Sequence, residues 1–154
     1  MITVEADIVI DAPIELCFDL ARDMAIHKRT AWKHTKEEIV DGVKTGLIGL
    51  GESVTFEATH LGVRQRLTSK VVTLDRPYLF IDEMQEGAFR FLRHTHIFEE
   101  VQGKTRMSDI VEFAAPYGPI GWVVERLVLR TYLASFLKHR NQQLKQIAEK
   151  EHPS

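Results

Sequence analysis

The chain has 154 residues, 44% of them hydrophobic and 27% charged, with a formal net charge of −2. That length favours one domain, residues 1–154, with a core of its own. The near-neutral balance gives no whole-molecule attraction to nucleic acid or to an anionic membrane surface. A lone cysteine, Cys17, excludes an internal disulfide and a cysteine-based zinc site. No run approaches the ~18 apolar residues of a membrane span, and Met1 leads directly into an alternating segment with no basic-then-apolar leader. The expectation is a cytoplasmic protein without stable membrane insertion.

Residues 2–11 alternate, with Ile2, Val4, Ala6, Ile8 and Ile10 on one side, which predicts a half-buried strand. Asp11-Ala12-Pro13 opens a helix, with the cap at Asp11 or Ala12, and Ile14, Cys17, Phe18 and Ala21 follow at helical spacing. Residues 23–31 form a second short helix or loop. The basic stretch 27–36 reads as a solvated face, with the rim of a pocket entrance as the alternative. Residues 32–41 read as a weak edge strand. Residues 42–51 contain four glycines but no Gly-Lys-Ser/Thr ending, so they predict a flexible connection and not a phosphate cradle.

Residues 52–60 alternate cleanly and group Val54, Phe56, Ala58 and His60. Leu61-Gly62 turns the chain, and residues 63–74 return with Arg64, Arg66 and Lys70 outward. After Asp75-Arg76-Pro77 comes a strand over 78–84. Whether Asp82 or Glu83 faces inward depends on the turn at 85–88, because a one-residue slip exchanges the two faces.

The next two strands carry the chemistry. Leu92, His94, His96 and Phe98 share one face, and Met107, Asp109, Val111 and Phe113 share the facing set. Arg93, Thr95, Arg106, Ser108 and Glu112 take the other side, which puts two imidazoles and a carboxylate among apolar side chains. An unpaired buried polar group costs about 1–3 kcal/mol, so the trio either satisfies itself or meets a ligand. After a Gly/Pro-rich break, the pattern is helical from 119 or 120 to about 150. Ile120, Val123, Val124, Leu127, Leu133, Phe136, Leu137, Leu144 and Ile147 form its apolar stripe, Arg140 belongs to the polar remainder, and residues 151–154 fray.

Consecutive strands with short turns make an antiparallel sheet, and the terminal helix is the one element large enough to cover its apolar face. The expected architecture is α+β: a curved antiparallel sheet of six to seven strands around a long C-terminal helix, with two short helices after the first strand. On Pro77-Tyr78-Leu79-Phe80-Ile81-Asp82-Glu83-Met84, Gly87-Ala88-Phe89, Phe91-Leu92-Arg93-His94-Thr95-His96-Ile97-Phe98, Thr105-Arg106-Met107-Ser108-Asp109 and Pro116-Tyr117-Gly118-Pro119-Ile120-Gly121, the chain resembles the START-like (SRPBCC) superfamily. The resemblance spans essentially the whole sequence and is to a bacterial branch of small stand-alone ligand-binding members. It implies the helix-grip fold shared by lipid-transfer domains, pollen-allergen relatives and polyketide aromatase/cyclases.

Four readings of the site stay open. His94 and His96 are core histidines satisfied by Asp109 or backbone, or they line a cavity and orient the polar end of an apolar or amphipathic small molecule. In the second case Asp109 orients one imidazole, and Trp32, Phe56, Leu92, Phe98, Met107, Val111 and Phe113 supply wall. A His–Asp couple also suits a general base, so a cyclase or dehydratase using His94, His96 and Asp109 is the alternative. No nucleophile elbow is present, and binding is the preferred expectation. Two histidines two apart can share a metal, with Asp109 or His60 as candidates, but no further ligand is fixed. No metal and no cofactor is expected, and the oligomeric state is open. An interaction module working through residues 28–36 is the third class of function.

Overall fold

The computed structural model describes residues 1–152. Strand β1 (Ile2–Ile10) is followed by helices α1 (Ile14–Ala21) and α2 (Met24–Thr30), then by β2 (Glu38–Gly42), β3 (Ser53–His60), β4 (Val63–Asp75), β5 (Leu79–Glu86), β6 (Phe91–Val101) and β7 (Lys104–Ala114). Helix α3 (Gly118–Val124) passes through a π-helical turn at Glu125–Leu129 into α4 (Arg130–Glu151). The strands form one antiparallel sheet in the order β1-β7-β6-β5-β4-β3-β2. This is the α+β helix-grip arrangement: a curved sheet gripping a continuous terminal helix of 34 residues. That helix is roughly 50 Å long at 1.5 Å per residue. No helix among the described residues is long and apolar enough to cross a membrane.

Tight turns fix the register. Leu61 and Gly62 (φ 51° and 79°) join β3 to β4, and Gln102 and Gly103 (φ 52° and 79°) join β6 to β7. Two successive left-handed residues twist the same way as the strands they connect, so the hairpin closes without a slip. The β6–β7 turn therefore sets Leu92 opposite Phe113, His94 opposite Val111, His96 opposite Asp109 and Phe98 opposite Met107. All eight side chains share the helix-facing side, as their alternation predicts.

Several local expectations are revised. Residues 32–41 do not form one strand: Lys33–Thr35 is a 3-10 helix, and β2 begins at Glu38. Thr30 Oγ1 donates to the His27 carbonyl and Thr35 Oγ1 to that of Trp32, local bonds that compete with sheet pairing. The glycine-rich segment is anchored, not loose, because Met24 N–H donates to Gly46 O and Ile48 N–H to Arg22 O. Pro13, not Asp11 or Ala12, holds the cap position of α1, while the Asp23 carboxylate caps α2. The C-terminal helix continues through Glu151; of the tail expected to fray, Pro153 and Ser154 lie outside the described residues.

The core is densest where α4 ends. Phe18, Cys17 and Leu20 of α1 pack with Ile10, Phe80, Phe98, Met107, Leu144 and Ala148. Phe18 meets Phe80 and Phe98 edge-on, at 5.3 and 5.2 Å between centroids. A second cluster joins Ile2, Val4, Val111 and Phe113 to Leu137. A third ties Met24 and Ile48 to Val54 and Val71.

A His–Asp cluster at the head of an apolar cavity

Register places Asp82 beside His94 and His96 beside Asp109, so β5, β6 and β7 bring four ionisable groups to one spot. The facing of residues 82 and 83 is thereby resolved: Asp82 turns inward, and Glu83 pairs outside with Arg93 at 3.6 Å. His94 Nε2 lies 2.7 Å from Asp109 Oδ1, and His96 Nδ1 lies 3.3 Å from the same oxygen. His96 Nε2 reaches Asp82 Oδ2 at 2.8 Å. From α4, Asn141 Nδ2 donates to Asp109 Oδ2 at 2.7 Å, and from β4, Ser69 Oγ donates to Asp82 Oδ1 at 2.9 Å. The imidazoles stack at 3.7 Å between centroids, and Phe80 covers the other face of His96 at 3.9 Å.

The protonation pattern follows from these contacts. Burial opposes charge on His96, but hydrogen bonds to Asp109 and Asp82 outweigh it and raise the imidazole above its ordinary value. His94 moves down, first through burial and then through the positive charge of His96, despite its bond to Asp109. Burial would raise both carboxyls, yet the histidine hydrogen bonds hold Asp82 down at about 2 and Asp109 well below the usual carboxylate range. Both carboxyls are therefore held ionised, and of the two imidazoles His94 gives up its proton more readily than His96. Neutral His94 donates Nε2–H to Asp109, which leaves Nδ1 as an unprotonated nitrogen with no hydrogen-bond partner among the described residues.

That nitrogen belongs to a side chain on the wall of a cavity of about 400 Å³ between sheet and helix. Its walls are mostly apolar: Phe56, Ala58, Leu67, Phe89, Leu92, Val111, Leu133, Phe136 and Leu137. A smaller pocket of about 60 Å³ adjoins it, shares His27, Phe56, Ser69, Asp82, His94 and Arg140 with it, and reaches His96. The cavity opens beside Leu61, Tyr117 and Ile120, which are 55%, 82% and 70% exposed. Gly121 lets α3 fold over this mouth, since a Cβ there would sit 2.0 Å from the Pro116 carbonyl oxygen.

The sequence-derived set divides. Phe56, Leu92, His94 and Val111 line the larger cavity, and His96 borders only the smaller pocket. Phe98 and Met107 are not wall, because they lie where α1 closes the sheet and are consumed by the core around Phe18. Phe113 is fully buried against Phe89 and the Leu137 cluster. Trp32 packs behind the wall, edge-on to Tyr132 and Phe136 at 5.5 and 5.4 Å. Asp109 lies behind the histidines and touches neither cavity. His60 is held apart by the Tyr132 hydroxyl at 2.6 Å.

Other residues enter unannounced. Arg140, assigned to the polar face of the helix, lines both cavities, and its guanidinium has no hydrogen-bond partner among the described residues. His27 is not part of a solvated basic face: it stacks on Phe56 at 4.5 Å and bonds Glu37 Oε1 at 3.0 Å. Burial and then the nearby Arg140 charge push His27 down. Lys28, Arg29, Lys33, His34 and Lys36 do remain exposed. A signal for Asn141 was available, since Leu137, Asn141, Leu144 and Ala148 fall at helical spacing along the buried stripe of α4.

Solved structures share this fold. The protein TTHA0849 from Thermus thermophilus is 19% identical with a TM-score of 0.71, covering 96% of this chain and 99% of its own. Protein Ms6760 from Mycobacterium smegmatis is 17% identical with a TM-score of 0.72, over 97% and 92% of the two chains. Protein CV1439 from Chromobacterium violaceum is 12% identical with a TM-score of 0.70, over 96% of each. At these identities the likeness is one of fold. No curated protein matches the sequence. The family model described as polyketide cyclase / dehydrase and lipid transport, in contrast, matches residues 1–149, and the chain belongs to that family.

Proposed function

We propose that the protein binds one apolar or amphipathic small molecule in the 400 Å³ cavity, apolar end toward the mouth and polar end toward His94 and Arg140. The observation that carries this reading is the cavity's own polarity. Apolar side chains make up most of its wall, while His94, with a free imidazole nitrogen, and Arg140, with an unpaired guanidinium among the described residues, both line it where it adjoins the smaller pocket. Cavities of this size suit small ligands, and a few placed polar groups set the ligand's orientation. Asp109 acts at one remove, as a positioning residue that fixes the His94 tautomer. His96 stands behind His94 and has no direct access to the larger cavity.

Native mass spectrometry of protein purified from its own host tests the proposal. One co-purifying organic molecule per chain is expected, retained less well by His94→Ala and Arg140→Ala variants that still fold. Absence of any bound molecule, together with no displacement of an apolar fluorescent probe by fatty acids or aromatic polyketides, overturns it.

One observation supports a second reading. Neutral His94, oriented by Asp109 with Nδ1 at the cavity, has the arrangement of a general base, consistent with the cyclase and dehydrase members of the family. Turnover of a polyketide-type substrate, abolished in His94→Gln while binding persists, would establish it.

A further inference from the structure

The same cluster has a second capacity, independent of what organic molecule fills the cavity. One potential ligand atom each from Asp82, His94 and His96 lies within 4.8 Å of the other two. We propose that Asp82, His94 and His96 bind a divalent first-row transition ion, with His94 coordinating through Nδ1 and His96 through Nε2.

The groups behind the three ligands are those a metal site requires. Ligating histidines hold their orientation by donating the other ring N–H to a carboxylate or carbonyl. Here Asp109 Oδ1 accepts from His94 Nε2 at 2.7 Å and lies 3.3 Å from His96 Nδ1 as an ion-pair contact. Asp109 is itself fixed by Asn141, and the non-ligating oxygen of Asp82 by Ser69. Metal–nitrogen and metal–oxygen bonds of about 2.0–2.2 Å at tetrahedral angles put ligand atoms about 3.3–3.6 Å apart. The 2.8 Å contact between His96 Nε2 and Asp82 Oδ2 would open by about half an ångström, and His94, stacked on His96 at 3.7 Å, would turn its Nδ1 toward the ion.

His96 Nε2–H donates to Asp82 Oδ2 at 2.8 Å, and that proton holds the two together. The ion would replace that proton, and the two carboxylates of Asp82 and Asp109 would balance its charge. Two imidazoles and one carboxylate match borderline ions such as zinc(II) or iron(II) and disfavour magnesium and calcium, which take oxygen sets. Three protein ligands would leave coordination positions open, and Asp82 and His94 both line the two cavities from which a further ligand could reach the ion. A carboxylate or carbonyl on a cavity ligand is the chemistry that would fill them.

The test uses the full chain, stripped with chelator and titrated with zinc(II) or cobalt(II) chloride by calorimetry and visible absorption. One ion per chain with sub-micromolar affinity is expected, and zinc should shift the ring nitrogens of His94 and His96 alone in nitrogen-15 spectra of the wild-type protein. Asp82→Asn should weaken binding at least ~100-fold, and Asp109→Asn by about 10–100-fold through lost orientation. His60→Gln should leave binding unchanged. No saturable binding at micromolar zinc overturns the proposal, as does binding that leaves the His94 and His96 rings unshifted, a readout that needs no variant to fold. Loss of an organic ligand with the metal titration intact would sink the cavity reading alone. The reverse result would sink only the metal.

Discussion

The two ends of strands β6 and β7 carry the same alternating pattern and have opposite fates. Toward the β6–β7 turn, Phe98 and Met107 meet α1, Leu144 and Ala148, and the interior is filled. Toward the other end, Leu92 and Val111 look across about 400 Å³ at Leu133 and Phe136. The difference lies outside the sheet. Helix α1 plugs one end, while the π-helical turn and the aromatic pair Tyr132 and Phe136, braced by Trp32, occupy the side of α4 over the other. Filling is therefore decided by which elements reach a given strand segment. The His–Asp cluster sits at the boundary, with Phe80 of the packed end against His96 and the cavity beside His94.

Breaking that boundary should have the largest effect. Asp109→Asn removes a buried carboxylate that serves both histidines and Asn141. Loss of one partner in a buried charged network costs about 3–5 kcal/mol. Urea unfolding at pH 7 should show a loss of that order, and a loss below about 1 kcal/mol would mean that the cluster is solvated. A matched pair then probes the two ends. Phe98→Ala should cost about 3–5 kcal/mol, because it opens a new hole in a closed core. Leu92→Ala, at a partly buried position bordering an existing hollow, should cost about 2 kcal/mol, the low end for such a truncation. Equal losses would show that the hollow end is as tightly packed as the other.

The same contrast marks how far the sequence could be read. Period-two alternation identified the inward set on β6 and β7, and the tight Gln102-Gly103 turn made the pairing of His96 with Asp109 a matter of counting. The helix-grip architecture followed from element order together with the family resemblance. Alternation reports a side chain's face and not its depth, which is why it groups Phe98, Met107 and Phe113 with Leu92 and Val111 as wall. Asp82 stays open because its facing depends on how residues 85–88 turn, and the structure adds an irregular β4–β5 pairing beside it, with register shifts at Thr68/Ser69 and Val71/Thr73. Arg140 escaped because a long cationic side chain on a helix ordinarily reaches water, and only the hollow beneath α4 gives it an inward course.

Filling the hollow should separate stability from binding. Ala58→Phe adds a ring to a buried position on the cavity wall. Overpacking a closed core costs about 1–3 kcal/mol, but here the added atoms enter empty space, so the melting temperature should hardly move while ligand retention is lost. A large drop in melting temperature with retention intact would place the cavity elsewhere.

The smallest effect expected is in the pH profile, where the two kinds of imidazole oppose each other. His27, His60 and His94 are held below the ordinary histidine value of 6.5, in each case first by burial. Their contribution is complete above pH 6.5 and is lost as pH falls through their lowered folded-state values, since the unfolded chain takes up protons first. His96 is raised by Asp109 and Asp82 against its burial, so its contribution is complete below pH 6.5 and fades as pH rises through its folded-state value. Three groups against one predicts a urea midpoint that falls from pH 7 to pH 5 and declines more gently toward pH 8.5. His27→Gln keeps a hydrogen-bond donor for Glu37 but cannot titrate, so it should flatten the acid limb and leave the alkaline one unchanged. An unaltered acid limb would mean that His27 is charged in the folded protein, with Glu37 rather than burial setting its state.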